Sequence, residues 1–245
     1  LEDPEIAYIG LINSDATLDP DWVTHILEFA EKKPRGALFQ GTTLDYYDHG
    51  VIDSTHIYIS HHGQATQGGW RSQLIGENGP QKVFGTNAAA CLISRKFIEA
   101  QPFTPFFDES FFMYLEDVDI SLRATVMGWD NYYVPGATAY HMGSASSGKN
   151  PAFPLKMTYR NNLAMLYKNL STRLIVKLLP GILRSDYATV KKLVREKRYT
   201  AAKALVAGRL TGVARVFLYQ KEHKQMMAVT KIKEEYLLKL MRSGT

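Results

Sequence analysis

The stretch FFDESFFMYLEDVD, residues 106–119, decides how this chain is interpreted. It places five carboxylates among aromatic and aliphatic side chains. A carboxylate beside buried aromatic groups must be paired, bind a metal or have a raised pKa. Because shifted pKa values are typical of general bases, the stretch predicts a catalytic site.

The second half of this stretch begins a predicted helix, which runs from about Tyr114 to Met127. Its apolar positions recur at helical spacing and share one face; they are Leu115, Val118, Leu122 and Val126. Carboxylates in a first helical turn interact favourably with the helix dipole, and we expect Arg123 to pair with Asp119 four residues earlier.

Length and composition fit a globular protein. The 245 residues, 45% of them hydrophobic, can form one large domain or a domain with an extension. A single cysteine, Cys91, excludes an internal disulfide framework. The sequence has neither a secretory signal nor an apolar run of about 18 residues that could span a bilayer.

Charge divides the chain into two parts. Residues 1–150 hold 9 Lys+Arg and 19 Asp+Glu, a net charge of −10, whereas residues 151–245 hold 20 and 5, a net charge of +15. An acidic part followed by a basic part suggests two different roles.

The local patterns predict an α/β fold. Ile6–Ile12 is a short apolar run typical of a buried strand. It ends in Asn13-Ser14-Asp15, at the strand end where open α/β sheets bind ligands. Residues 42–82 have few clear elements and indicate a binding loop. Beyond Pro154 the pattern is helical. Glycine and proline interrupt helices, so we expect breaks at Pro180, Gly181, Gly208 and Gly212.

The ordered series FDE-x-FFMY-x-EDVD-x-x-x-R, then Gly128-Trp129, then VPGATAYH at 134–141, resembles the family 2 glycosyltransferases, particularly their rhamnosyltransferase-like branch. The resemblance covers about residues 5–170. It implies a GT-A-like, Rossmann-like, mostly parallel sheet with flanking helices. We therefore predict a catalytic region at 1–170 and a basic amphipathic helical extension at 171–245.

The opening of the chain departs from the family pattern. Family members begin with a V-S-V-V-I-x-T-Y-N-like strand and a V-D-N-x-S-x-D-like strand, which hold the nucleoside, and neither occurs in this sequence. We therefore interpret the chain as the C-terminal part of such an enzyme, N-terminally truncated, with two alternatives: it is active alone, or it is inactive without the missing strands.

The resemblance implies an inverting transfer of a sugar, rhamnose in this branch, from a nucleotide-diphosphate donor to a glycan or lipid-linked acceptor in cell-surface polysaccharide synthesis. Asp117 would be the base that deprotonates the acceptor hydroxyl, and Glu116 would position the loop or contact the acceptor. The alternative is that both are ordinary carboxylates in the first turn of a helix.

The donor site is also predicted from the resemblance. Asn13 and Asp15 take the place of the family's metal-binding D-x-D-like motif, where Asp15 would bind Mg²⁺ or Mn²⁺ and the donor diphosphate. His141 would be a second metal ligand, and Arg160 would contact the diphosphate. The alternatives are an Asx-turn at Asp15, a structural His141 and a solvent-facing Arg160.

The acceptor side would be formed by Asp108 and Glu109 together with Trp70, whose ring could stack on a sugar. Alternatively, the two carboxylates cap a short turn and Trp70 is a surface aromatic residue.

The basic part predicts contact with an anionic membrane surface. Leu174–Leu179 and Lys203–Tyr219 are amphipathic and cationic, which fits a location at the cytoplasmic side, peripheral to the cell membrane. No nucleic-acid recognition motif accompanies the charge, so we expect no nucleic-acid partner. A solvated helical appendage is the alternative.

Three other functions stay open at this point. The chain could be an inactive fragment that binds glycan, or a membrane-associated partner whose other half is a separate chain. It could also be an unrelated α/β hydrolase that uses Glu116 and Asp117. A hydrolase would act on a glycoside without any nucleotide, whereas a transferase would not.

Overall fold

The structure is a computed structural model that describes residues 3–74, 79–143 and 152–242. Its strands are β1 Tyr8–Ile12, β2 Ala16–Leu18, β3 Gly36–Asp45, β4 Ile52–Ser54, β5 His56–Ile59, β6 Ala65–Gly68, β7 Gln81–Val83, β8 Ala90–Ser94 and β9 Asp130–His141. Its helices are α1 Trp22–Ala30, α2 Arg95–Glu99, α3 Glu116–Val126, α4 Ala152–Asn169, α5 Thr172–Arg195, α6 Tyr199–Val216, α7 Gln220–Val229 and α8 Glu234–Arg242.

Seven of the strands form a mixed sheet. Their order is β1-β8-β3-β9-β2, with β4 beside β3 and β7 beside β9, and β5 and β6 form a separate hairpin. Among the pairings in the described ranges, β3 and β9 are the parallel pair and the others are antiparallel. The fold is α/β with a C-terminal helical part, but the prediction of a mostly parallel sheet is wrong. Strand direction depends on which strands become neighbours, and local periodicity does not contain that information.

The first strand lies at an edge of this sheet. β1 pairs with β8, and Ile12 at its end is 51% exposed. The predicted strand is confirmed at Tyr8–Ile12, but the prediction that it is buried is wrong. A short apolar run is typical of a strand covered on both faces, but it does not show whether both faces are in fact covered.

β9 bends without leaving the sheet. Its pairing register with β3 shifts between Gln40 and Thr42, and Gly136 has a φ of +86°. A Cβ on Gly41 would lie 1.6 Å from the Ala137 carbonyl oxygen, so the two backbones approach each other closely at the bulge. This bend directs the end of β9, with His141, toward the end of β1.

The core covers both faces of the sheet. Trp22 and Ile26 of α1 pack with Phe39 on one face. On the other face one apolar cluster joins α3 with the C-terminal helices and includes Leu122 and Leu178. The boundary predicted at residue 170 stays a prediction, although this cluster contains residues from both sides of it.

Helices α5 and α6 are continuous, so the predicted breaks at Pro180, Gly181, Gly208 and Gly212 are wrong. A Cβ on Gly208 would lie 2.4 Å from the Lys156 carbonyl oxygen, and one on Gly212 would lie 2.7 Å from that of Arg160. Both glycines therefore allow α6 to pack directly against the backbone of α4. In the described ranges, no helix combines the length and the apolar character needed to cross a membrane.

Candidate active site

A cleft of about 760 Å³ opens where the end of β1, the end of β9 and the start of α3 meet. The hairpin strand β6 also lines it. Among the residues that line it are Asn13, Asp15, Asn87, Ala88, Tyr114, Glu116, Asp117, His141 and Thr158. The tertiary structure thus brings together five of the residues that the sequence analysis selected, from segments more than 100 positions apart.

Asp117 lies in the first turn of α3, on the wall of the cleft. Its carboxylate accepts hydrogen bonds from the backbone N–H groups of Val118, at 2.8 Å, and Ala88, at 3.4 Å. Burial, followed by the negative charge of Glu116, raises the pKa of Asp117 to about 6. A carboxylate with this pKa is suited to accept a proton near neutral pH.

Glu116 lies beside Asp117 and also lines the cleft. One of its carboxylate oxygens, Oε2, is buried and has no hydrogen-bond partner within the described ranges. Buried polar atoms are normally paired, so this oxygen is available to a group that enters the cleft.

The backbone before α3 has an unusual conformation. Phe112, Tyr114 and Leu115 have φ values of +63°, +70° and +72°, in the left-handed region that bulky side chains rarely occupy. Each such residue costs on the order of 1–3 kcal/mol and persists only where the surroundings enforce it. We call residues 112–115 the left-handed segment.

Two side chains of α4 hold this part of the backbone. The Asn161 amide nitrogen lies 3.1, 2.9 and 2.9 Å from the carbonyl oxygens of Phe111, Met113 and Tyr114, to which it donates. The Arg160 guanidinium donates to the Phe111 carbonyl oxygen at 2.6 Å. Asn161 was not among the predicted site residues; its place directly after Arg160 was the signal that could have found it.

A histidine and two carboxylates form a chain at the other side of the cleft. The His141 Nε2 atom lies 3.3 Å from Asp15 Oδ1, and its Nδ1 atom lies 3.0 Å from Asp53 Oδ2. The hydrogen bond to Asp53 and the charges of both carboxylates raise the pKa of His141, although burial opposes them. Asp53, in the short strand β4, had no local sequence signal and was missed.

This group fits a cation only as part of a larger ligand set. In the described ranges, no three His, Cys, Asp or Glu side chains form a cluster that could hold a metal ion, because Asp15 and Asp53 lie on opposite sides of the His141 ring. Asp15 and the His141 Nε2 atom, 3.3 Å apart, supply one oxygen and one nitrogen donor. The Asn13 amide nitrogen lies 3.5 Å from Nε2, and Asn13 would bind a metal through its Oδ1 atom. Mg²⁺ in such partial sites completes its shell with substrate phosphates and water.

Arg160 does not line the cleft. Besides Phe111, its guanidinium donates to the Ser110 carbonyl oxygen, at 3.1 Å. Burial and the nearby charge of Arg215 lower the pKa of Arg160. The predicted contact with the donor diphosphate stays a prediction, and the observed contacts are with the backbone.

Asp108 and Glu109 line a second cavity of about 390 Å³. Asp108 accepts from the Ser110 backbone N–H at 3.1 Å, which caps the short 3-10 helix Glu109–Phe111. Although burial opposes it, the Lys168 ammonium and the Ser110 hydrogen bonds lower the pKa of Asp108. The predicted acceptor contacts of these residues are therefore not in the same cleft as Asp117.

Trp70, the third predicted acceptor residue, is 60% exposed and does not line the cleft. The Arg71 guanidinium lies 5.8 Å from the centre of its ring and pairs with Asp45. The observed surroundings are those of a surface aromatic residue; a sugar contact stays a prediction.

Buried charges support the base of α3. Arg123 pairs with Asp119 at 3.1 Å, which confirms the predicted pair. The Lys168 ammonium lies 2.9 Å from both Asp119 and Asp108. We call these four side chains, two cations and two anions, the charge cluster of α3.

Comparisons with known proteins support a relationship to glycosyltransferases. No protein-family model matches the chain. In two strains of Mycobacterium tuberculosis, N-acetylglucosaminyl-diphospho-decaprenol L-rhamnosyltransferase is 34% identical over 86 residues, 35% of this chain and 27% of that protein. An uncharacterized protein of Sinorhizobium fredii, y4gI, is 23% identical over 171 residues, 67% of this chain and 18% of that protein.

These alignments span about a quarter or less of the length of the curated relatives. The first relative transfers L-rhamnose, according to its name. The resemblance to a rhamnosyltransferase that the motif series predicted is thus supported in part of the chain. Membership of family 2 stays a prediction.

Proposed function

We propose that this chain is the catalytic part of a family 2, GT-A-type glycosyltransferase. It moves a sugar, rhamnose by the relationship described above, from a nucleotide-diphosphate donor to a lipid-linked glycan, with inversion at the transferred carbon. The observation that carries the proposal is the cleft itself, which Asp117, with its raised pKa, lines together with Asp15 and His141.

In this proposal Asp117 is the general base. The acceptor hydroxyl enters between the two walls of the cleft and gives its proton to the Asp117 carboxylate as its oxygen attacks the sugar. The adjacent charge of Glu116 keeps the pKa of Asp117 high enough for this step. The unpaired Oε2 atom of Glu116 accepts a hydrogen bond from a second acceptor hydroxyl and orients the acceptor.

The opposite wall binds the donor. Asp15, His141 and Asn13 would hold Mg²⁺ or Mn²⁺, which neutralises charge on the leaving diphosphate. Asp53 accepts a hydrogen bond from the Nδ1–H group of His141. This hydrogen bond orients the Nε2 atom toward Asp15, an arrangement typical of histidine ligands.

Calorimetric titration with UDP and dTDP, each with and without Mn²⁺, tests the donor site. We expect one of the nucleotides to bind, at least about tenfold more tightly with Mn²⁺. Asp15→Asn should remove this metal dependence because it removes the carboxylate that lies 3.3 Å from His141 Nε2. Asp130→Asn, on β9 but outside the cleft, is the control. If neither nucleotide binds under any condition, this chain has no donor site of its own.

We also propose peripheral contact with an anionic membrane, through α5. Exposed apolar side chains recur every three or four residues along one face of this helix; they lie at positions 176, 179, 183, 187 and 194. Exposed Lys and Arg side chains form an adjacent row at positions 173, 177, 184, 191 and 195. This pairing of an apolar and a cationic row is typical of helices that lie in a membrane interface.

Vesicle sedimentation tests this face. Replacing Val176, Leu183 and Tyr187 together by Ser should weaken binding to phosphatidylglycerol vesicles about tenfold or more, because each residue contributes apolar area beside the cations. Neutral phosphatidylcholine vesicles should bind weakly in all cases. The matched control replaces Val23 on α1, against the opposite face of the sheet, together with Tyr47. Equal loss in both variants would contradict a specific role for α5.

A further inference from the structure

A buried asparagine uses its whole side-chain amide on the backbone that precedes α3. Asn161 is 1% exposed. Its two amide hydrogens serve the three carbonyl oxygens described above, while its Oδ1 atom accepts from Arg160 Nε at 2.9 Å. Both amide hydrogens are used within the chain and the side chain is buried, so its role is to hold the backbone rather than to donate to a ligand.

The atoms that it holds belong to the left-handed segment or adjoin it. Leu115, the last residue of the segment, directly precedes Glu116 and sets the direction in which α3 begins. Left-handed backbone persists at bulky residues only when surrounding groups enforce it. Arg160 of α4 contacts the Phe111 carbonyl oxygen, which precedes the segment, whereas Asn161 also reaches the carbonyl oxygens of Met113 and Tyr114 within it.

We propose that Asn161 is a positioning residue, which holds residues 112–115, with positive φ at Phe112, Tyr114 and Leu115, and thereby keeps Glu116 and Asp117 on the wall of the cleft. This placement of the two carboxylates is a property of the folded chain alone. Its role in sugar transfer rests on the function proposed above.

The surroundings of Asp117 indicate what would change without this support. Glu116 is its adjacent anion, and the Cys91 thiol, whose pKa burial raises to about 12, is neutral. Asp15 and His141 line the cleft from the other side. If the segment relaxes, water reaches Asp117 and its carboxylate moves relative to Glu116, so its pKa falls toward the ordinary value of about 3.9.

The experiment compares Asn161→Ala with a matched variant, Asn131→Ala. Asn131 is also 1% exposed and also donates to three acceptors, the Phe84 and Ser121 carbonyl oxygens and the Thr125 hydroxyl. It supports α3 further along the helix and does not line the cleft, so both variants lose a comparable set of buried hydrogen bonds.

Two readouts distinguish positioning from general destabilisation. Titration of ¹³C-labelled aspartate carboxyls, with Asp117 assigned through Asp117→Asn, should show its pKa lowered by about one unit or more in Asn161→Ala. Backbone amides of residues 112–116 should exchange at least about tenfold faster in that variant. In Asn131→Ala both quantities should equal those of the unmodified chain.

The proposal is overturned if Asn161→Ala leaves the Asp117 titration and the amide exchange unchanged, or if Asn131→Ala changes them equally. If Asn161→Ala does not fold, Asn161→Ser, which keeps one donor, is measured in its place with the same expected directions. Neither readout needs a nucleotide or an acceptor. The proposed function can therefore fail in the donor-binding and transfer experiments while these two results still decide the role of Asn161.

Discussion

Asp117→Asn is expected to lower the rate of sugar transfer about 10²- to 10⁴-fold, the range that a general base contributes. Asparagine has a similar shape and stays in the same turn of α3, but its amide cannot accept the acceptor proton. Affinity for the nucleotide should change little because Asp15 and His141, on the opposite wall, would bind the donor. The measurement is steady-state transfer together with calorimetric donor binding; a variant that retains turnover contradicts the assignment of Asp117.

The same variant should show a characteristic dependence on pH. Transfer by the unmodified chain should rise as pH increases through about 6, because the base must be ionised.

The stability of the fold should also depend on the ionisation of Asp117. The pKa of Asp117 in the folded chain lies above its unfolded value of about 3.9. The stability that comes from protonation of Asp117 is therefore present below about pH 3.9 and is lost as pH rises through about 6. Asp117→Asn should therefore raise the free energy of unfolding at pH 7.5 by on the order of 1–2 kcal/mol, allowing for partial exposure, and have little effect at pH 3.5.

Asp130→Asn is the control for both measurements. Asp130 pairs with Lys82 at 2.8 Å and lies outside the cleft. Its replacement should leave the rate and its pH dependence unchanged and cost less than about 1 kcal/mol. If Asp117→Asn lowers both the rate and the stability at neutral pH, the loss reflects a damaged fold rather than a missing base.

Lys168→Met is expected to cause the largest loss of stability, about 3–5 kcal/mol. The Lys168 side chain is 1% exposed, and its ammonium contacts both Asp119, also 1% exposed, and Asp108. Without it, the charge cluster of α3 retains Arg123 as its only cation and two carboxylates, one of them completely buried. A buried charge without compensation is far more costly than a missing attraction. Urea unfolding measures the loss.

Lys177→Met is the matched control for this change. Lys177 pairs with Glu234 at 3.4 Å, but both side chains are substantially exposed, so the pair is screened by water and worth less than about 1 kcal/mol. Equal losses of unfolding free energy in Lys168→Met and Lys177→Met would show that burial does not increase the contribution of Lys168 to stability.

The sequence contained enough information to locate much of the site. The positions of Glu116 and Asp117 in the first turn of α3 followed from apolar spacing, and the Arg123–Asp119 pair followed from their separation by four residues. The strand end at Asn13 and Asp15 was predicted from a short apolar run followed by polar residues. Each of these inferences depends on residues close together in the chain, where backbone geometry alone fixes which side chains are neighbours.

Local patterns did not predict contacts between residues that are far apart in the sequence. Asp53 contacts His141 across 88 positions, and Asn161 contacts Tyr114 across 47. Local patterns also did not show that Asp108 and Glu109 line a different cavity from Asp117, although all three lie within ten residues. Asp108 and Glu109 are separated from Asp117 by the left-handed segment, and side chains of α4 hold the conformation of that segment.

By itself, then, the sequence determined the α/β character, the helical C-terminal part and the carboxylates that face the cleft, because periodicity and short-range spacing are encoded in neighbouring residues. Only the tertiary structure decided the mixed direction of the strands, the continuity of α5 and α6, and the partners of His141 and of the left-handed segment. Those features depend on which distant surfaces meet, and it is packing and hydrogen bonding between separate elements that select among the conformations that the local sequence allows.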